Sequence, residues 1–167
     1  MKLLAAMVLT AFSLNAVAGS GEAFYDKVHT ALSSGNSETV ELNLAELTYV
    51  QRTQLVKAAQ AEANIWHDTI LEGEYTLDPD GSLELVSVAK VLTAKGEFVA
   101  YRIGFSHAAY DTGSCETEWD FENDDEAAYK NYLVNNCPAG HISSAAYVSP
   151  DFKHHFRDED SIEDFSD

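Results

Sequence analysis

The sequence predicts an α+β domain in which an antiparallel four-stranded meander packs against one main helix, with a disulfide and an acidic C-terminal tail. Three observations carry this. A twenty-residue stretch from Thr48 repeats its apolar residues at helical spacing. Segments between residues 71 and 122 alternate apolar and polar residues at period two, separated by turn residues. Two cysteines, Cys115 and Cys137, fall in a chain whose start reads as an export signal.

That start is Met1-Lys2, then an apolar run from Leu3 to Leu14, then Ala16-Val17-Ala18 with small residues where a signal peptidase reads. A dozen apolar residues fall short of the ~20 that span a bilayer. Residues 1–18 are therefore expected to be a signal peptide, with Gly19 the first mature residue and the product periplasmic or secreted, from a bacterium. Residues 19–150 are expected to form one domain, and 151–167 a short helix and tail. An even cysteine count in an oxidising compartment favours a Cys115–Cys137 disulfide. Zinc would call for closer spacing and further ligands.

Along the mature chain, residues 22–33 predict a first helix, with Phe24, Val28, Ala31 and Leu32 on one face and Gly35 as its stop. His29 falls on its flank as a surface residue. Thr39–Ala45 alternates and reads as a half-buried strand or an extended linker. Thr48 and Gln51 form a capping box for the main helix, which presents Leu55, Ala59, Ala63, Trp66 and Ile70. The meander is then expected at 71–77, 83–93, 99–105 and 115–122. Asp78-Pro79-Asp80-Gly81 supplies its first turn and Lys95-Gly96 its second. Trp66, Tyr101, Ile103, Phe105 and Trp119 are expected to meet in the core. Asn123–Glu126 starts a third helix, which ends near Cys137 and Pro138. Ser149-Pro150-Asp151 reads as one more helix start carrying Phe152 and Phe156.

A helix followed by a curved antiparallel meander resembles the arrangement of cystatin-like and NTF2-like α+β domains. The Gln-x-Val-x-Gly loop of a cystatin-type protease inhibitor is not in this sequence.

Charge narrows the function. Ten Lys and Arg stand against 28 Asp and Glu, a net charge of -18. Such a chain repels phosphate backbones and anionic membranes, so neither nucleic acid nor membrane is an expected partner. Gly-x-Ser-x-Gly, a phosphate-binding glycine loop and His-Glu-x-x-His are all missing from the sequence. His67-Asp68 are helix neighbours that face apart. Asp78–Leu83 resembles a calcium loop but puts Thr76 and Ser87 at ligand positions, so a hairpin turn is the better account. His141, His154 and His155 are metal candidates whose convergence a sequence does not reveal. No cofactor is expected.

The distinctive feature is Glu116, Glu118, Asp120 and Glu122. On a strand these four acids would share one face, with Asp124, Asp125 and Glu126 extending them. They read as edge protection, or as a surface for a basic protein partner or a divalent cation. Arg102, on the preceding strand, is expected to offset part of their repulsion. The leading expectation is a non-enzymatic binding or inhibitor-like domain. The alternatives are a hydrolase with a carboxylate site, and an acid-rich structural or salt-adapted protein. Oligomeric state is not written in the sequence.

Overall fold

A computed structural model describes residues 21–69, 75–78, 80–120 and 125–158. Residues 21–33 are helical (α1), followed by strand β1 (Glu38–Glu41) and a short 3-10 turn at Leu44–Glu46. The long helix α2 (Tyr49–Thr69) leads to β2 (Tyr75–Leu77), β3 (Leu83–Leu92) and β4 (Phe98–Asp111). A 3-10 turn at Thr112–Ser114, helix α3 (Glu126–Asn136), β5 (Ala139–Val148) and β6 (His155–Arg157) complete the chain. The predicted signal segment, the strand start at 71–74, the acids at 122–124 and the tail at 159–167 lie outside the described residues, as does the side chain of Trp66.

The fold is α+β: three helices and a six-stranded antiparallel sheet in the order β1-β3-β4-β5-β6, with β2 also paired to β4. Local chemistry sets the helix ends where the sequence placed them. Gln51 N donates to Thr48 Oγ1 at 3.2 Å while Thr48 N donates to Gln51 Oε1 at 3.0 Å, the reciprocal capping box of α2. Gly35 ends α1 at φ +67°, a left-handed conformation that an L side chain disfavours. Asp125 caps α3, its carboxylate accepting from Ala127 N and Ala128 N.

Alternation along β4 then divides the core into two layers. Tyr101, Ile103 and Phe105 face α2 and bury against Leu55, Ala58 and Ala59, with Val88, Ala146 and Val148 from neighbouring strands. On the opposite face α1 lays Phe24, Val28 and Ala31 on Val91, Ala100 and Tyr147. Farther along the same face, α3 brings Leu133 onto Tyr110.

The predicted meander is corrected in three places. First, β2 and β3 both run antiparallel to β4, at Tyr75↔Asp111 and Leu83↔His107. The Asp78–Gly81 turn, closed by Gly81 N donating to Asp78 O at 2.9 Å, is thus a detour within one strand line rather than a hairpin. A turn motif fixes four residues of backbone, not the direction of the next strand. Second, residues 115–120 are not a strand, and β4 pairs instead with β5, a segment whose sequence pattern predicts no strand. Ser143, Ser144, Ala145 and Ala146 give that stretch little β-propensity, and its pairing supplies what propensity does not. Third, Ser149–Asp151 starts no helix. Ser149 Oγ accepts from Lys153 N (3.1 Å) and His154 N (3.0 Å), turning the chain back so that β6 pairs with β5.

Two irregularities change strand faces. A register shift between Leu85 and Ser87 leaves Val86 exposed and turns Val88 to the α2 side with Leu83 and Leu85. Another between Val91 and Leu92 puts Val99 in the α1 layer, away from Tyr101. Tyr101, Ile103 and Phe105 thus share the α2 face, while Val99, at the start of the same predicted strand, does not. Each bulge resets the period-two phase by one residue.

Candidate functional site

The predicted disulfide is formed: Cys115 and Cys137 are bonded, S–S 2.03 Å. It fastens the segment after β4 to the C-cap of α3. Glu116 N donates to Asn136 O at 2.8 Å, Tyr132 Oη donates to Thr117 O at 2.6 Å, and Thr117 Oγ1 donates to Asn136 Oδ1 at 3.1 Å. The acidic segment is therefore laid along the last turns of α3 rather than hydrogen-bonded into the sheet. These backbone groups find partners on the helix, which is why a strand-like sequence pattern does not become a strand here.

Glu116, Glu118 and Asp120 are exposed on this segment, and Glu122 lies outside the described residues. Asp125 and Glu126 at the start of α3 are exposed as well. Trp119 does not join the main core. It is half-buried between Tyr129 and Tyr132, ring centroids 5.0 and 5.1 Å away, and those two tyrosines stack at 6.1 Å. Burial, then the neighbouring Tyr129 and Glu118, push the Tyr132 phenol above its ordinary range. The result is a patch of three partly exposed aromatic rings edged by carboxylates. Tyr129 also meets Thr76 Oγ1 at 3.2 Å, and Lys130 pairs with Asp80, so α3 is tied to β2 and to the turn that follows it.

Arg102 does not neutralise this patch. It lies opposite Tyr147 on β4, nine residues before Asp111, or about 30 Å along a strand from the acidic segment. That exceeds three screening lengths at physiological salt. Its Nε instead donates to Asp158 at 2.9 Å. Burial works against the guanidinium charge, but the Asp158 hydrogen bond and charge outweigh it and raise its pKa.

The three candidate histidines do not converge. His155 lies opposite Val148 and His141 opposite Ala108, so they stand seven residues of β5 apart, about 23 Å. His154 packs beside Phe24, with ring centroids 6.3 Å apart. Among the described residues no group of three or more His, Cys, Asp or Glu stands close enough to hold a metal ion. His29 is on the surface of α1, stacked on Tyr25.

Sequence reasoning missed one polar pair. His155 Nδ1 meets Glu62 Oε1 at 2.5 Å, and Glu62 is 4% exposed at the α2–β6 contact. Glu62 stands one residue before Ala63 in the apolar row of α2, an acid on a buried face, which is the signal that would have found it.

Fold and surface together define a small, disulfide-fastened acidic α+β domain with an aromatic–acidic patch. No known protein family, curated protein or solved structure matches the chain.

Proposed function

We propose that the protein is a non-enzymatic binding domain, exported to the periplasm or beyond the cell, whose acidic surface at Glu116, Glu118 and Asp120 engages a basic protein partner. One observation carries this reading: three partly exposed rings, Trp119, Tyr129 and Tyr132, pack together beside the exposed Glu116, Glu118 and Asp120. Aromatic faces attract Lys and Arg side chains, and carboxylates beside them add long-range steering. Solubility alone accounts for the acids but not for aromatic rings left part-exposed among them. The disulfide and the hydrogen bonds to α3 hold the segment in place, which lowers the ordering cost of binding. Export is supported by the residues at 1–18 and by the oxidised cysteines. The single main helix across an antiparallel sheet supports the cystatin-like and NTF2-like comparison as a description of architecture.

The test is association kinetics of the exported protein with Lys-rich and Arg-rich peptides across a salt series. Glu118→Gln with Asp120→Asn is expected to slow association and flatten its salt dependence while leaving the thermal melt unchanged or higher. Trp119→Phe is expected to speed dissociation. Association rates with every basic peptide equal to wild type would leave the acids to solubility alone.

A further inference from the structure

On the sheet face opposite α2, helices α1 and α3 sit at the two ends and leave a cleft between them. Its volume is about 170 Å³, and it is bordered by Val86, Ser87, Arg102, Gly104 and residues 143–145. Strand alternation brings Arg102, Gly104, Ser143 and Ala145 to this face, because Arg102 is opposite Tyr147 and Gly104 opposite Ala145. Ser87 reaches the same face only through the bulge at Val86, which sets it opposite Gly104. Bulges of this kind re-aim side chains beside functional sites. Gly104 completes the floor: a Cβ there would stand 2.5 Å from Ser87 Oγ, so any other residue would displace the hydroxyl.

The lining is unlike the rest of this chain. Among the described residues that line it, Arg102 is the one charged side chain, the polar others are serine hydroxyls, and no carboxylate borders the cleft. Asp158 takes Nε–H from outside the lining, fixing the guanidinium plane, and the Arg102 side chain stays 39% exposed. Tyr147 also hydrogen-bonds the guanidinium, which carries five donors, so the Asp158 carboxylate and this phenol together do not exhaust it.

We propose that this cleft binds a small monocarboxylate, its two oxygens facing the Arg102 guanidinium and its remaining hydrogen bonds made by Ser87 and Ser143. A planar fork of donors matches a carboxylate, and hydroxyls add further donors. The cleft is small. Its volume is slightly above the ~150 Å³ that accommodates benzene, which suits a short-chain acid. The net charge of -18 selects for one negative charge rather than several, since multiply charged anions meet a larger long-range repulsion.

The experiment is an NMR titration of the whole exported protein with sodium butyrate, set against sodium chloride at equal ionic strength. Saturable shifts at Arg102 Nε–H and at the amides of Gly104 and Ser143–Ala145, produced by butyrate alone, are expected. The double variant S87A/G104A removes the hydroxyl, fills the floor with a methyl and keeps the Arg102–Asp158 pair. It is expected to melt as wild type does and to bind butyrate at least tenfold more weakly. Arg102→Lys keeps the charge, loses the fork and is expected to weaken binding similarly. Should either variant fail to fold, Ser143→Ala decides, with a severalfold loss expected. Identical shifts with chloride, or folded variants that bind butyrate as wild type, overturn the proposal.

Discussion

Glu62 is a carboxylate 4% exposed on the core side of α2, with His155 Nδ1 at 2.5 Å. A buried carboxylate without a partner is costly, and this bond joins the last described strand to the main helix. Glu62→Ala leaves the imidazole facing a small cavity and is expected to cost about 2–3 kcal/mol in denaturant unfolding. Glu62→Gln keeps the shape and one acceptor and should cost less. A coupling energy near zero in the Glu62–His155 double-mutant cycle would show that the pair contributes nothing. At the other extreme of chemistry, Ile103 is fully buried between α2 and the sheet, so Ile103→Ala is expected to cost ~2–5 kcal/mol.

At the scale of elements, two fastenings are testable. The Cys115–Cys137 bridge spans a separation of 22 residues, for which loop-closure entropy gives roughly 3 kcal/mol. Cys115→Ser with Cys137→Ser is expected to lose about that much stability and to raise amide exchange from Glu116 to Asp120 first. Equal exchange in both proteins would mean that the hydrogen bonds to α3 hold the segment without the bridge. The second fastening is the Ser149–Asp151 turn that directs β6 back to β5. Ser149 Oγ donates to Asp151 Oδ1 at 2.7 Å, and this bond, with those from Lys153, holds the Asp151 carboxyl below its ordinary range. A depressed folded pKa contributes stability above the unfolded value and loses it as pH falls through the folded one. The turn should therefore loosen below about pH 4, seen as faster exchange at Lys153 and His154 amides. In Asp151→Asn that acid-dependent change should vanish.

For the whole molecule, the net charge of -18 is the governing quantity. Like charges repel in the compact state, and salt screens them, the Debye length falling from about 30 Å at 0.01 M to about 8 Å at 0.15 M. Thermal stability is thus expected to rise across that range, and less so in the Glu118→Gln, Asp120→Asn double variant. A melting temperature flat in salt would show the acids to be paired rather than merely solvated. At high pH the sign reverses for three phenols, Tyr110 and Tyr147 buried and Tyr132 half-buried. Burial raises Tyr110, Tyr132 and Tyr147 above the ordinary tyrosine value, with nearby acids adding to it. Their contribution is present below about pH 10 and is lost as pH rises through the raised values, which a phenolate absorbance titration would follow alongside the melt.

Local patterns determined local structure. The Thr48–Gln51 box, the Gly35 stop, the Asp125 cap and the row Leu55, Ala59 and Ala63 of α2 are set by residues within a few positions of one another, and each stands in the structure where the sequence placed it. The disulfide joins the two cysteines that the even count pointed to. The tertiary structure alone decided which segment lies beside which. Alternation marks a segment as extended but does not name its partner, so 115–120 went to α3 and the serine- and alanine-rich 141–148 went into the sheet. Bulges at Val86 and Val99 reset strand phase without any residue that announces them. Both the cleft around Arg102 and the Glu62–His155 contact join residues 40 or more positions apart along the chain. Long-range pairings of that kind are decided by the burial and hydrogen bonding of the whole sheet, which no short window of sequence contains.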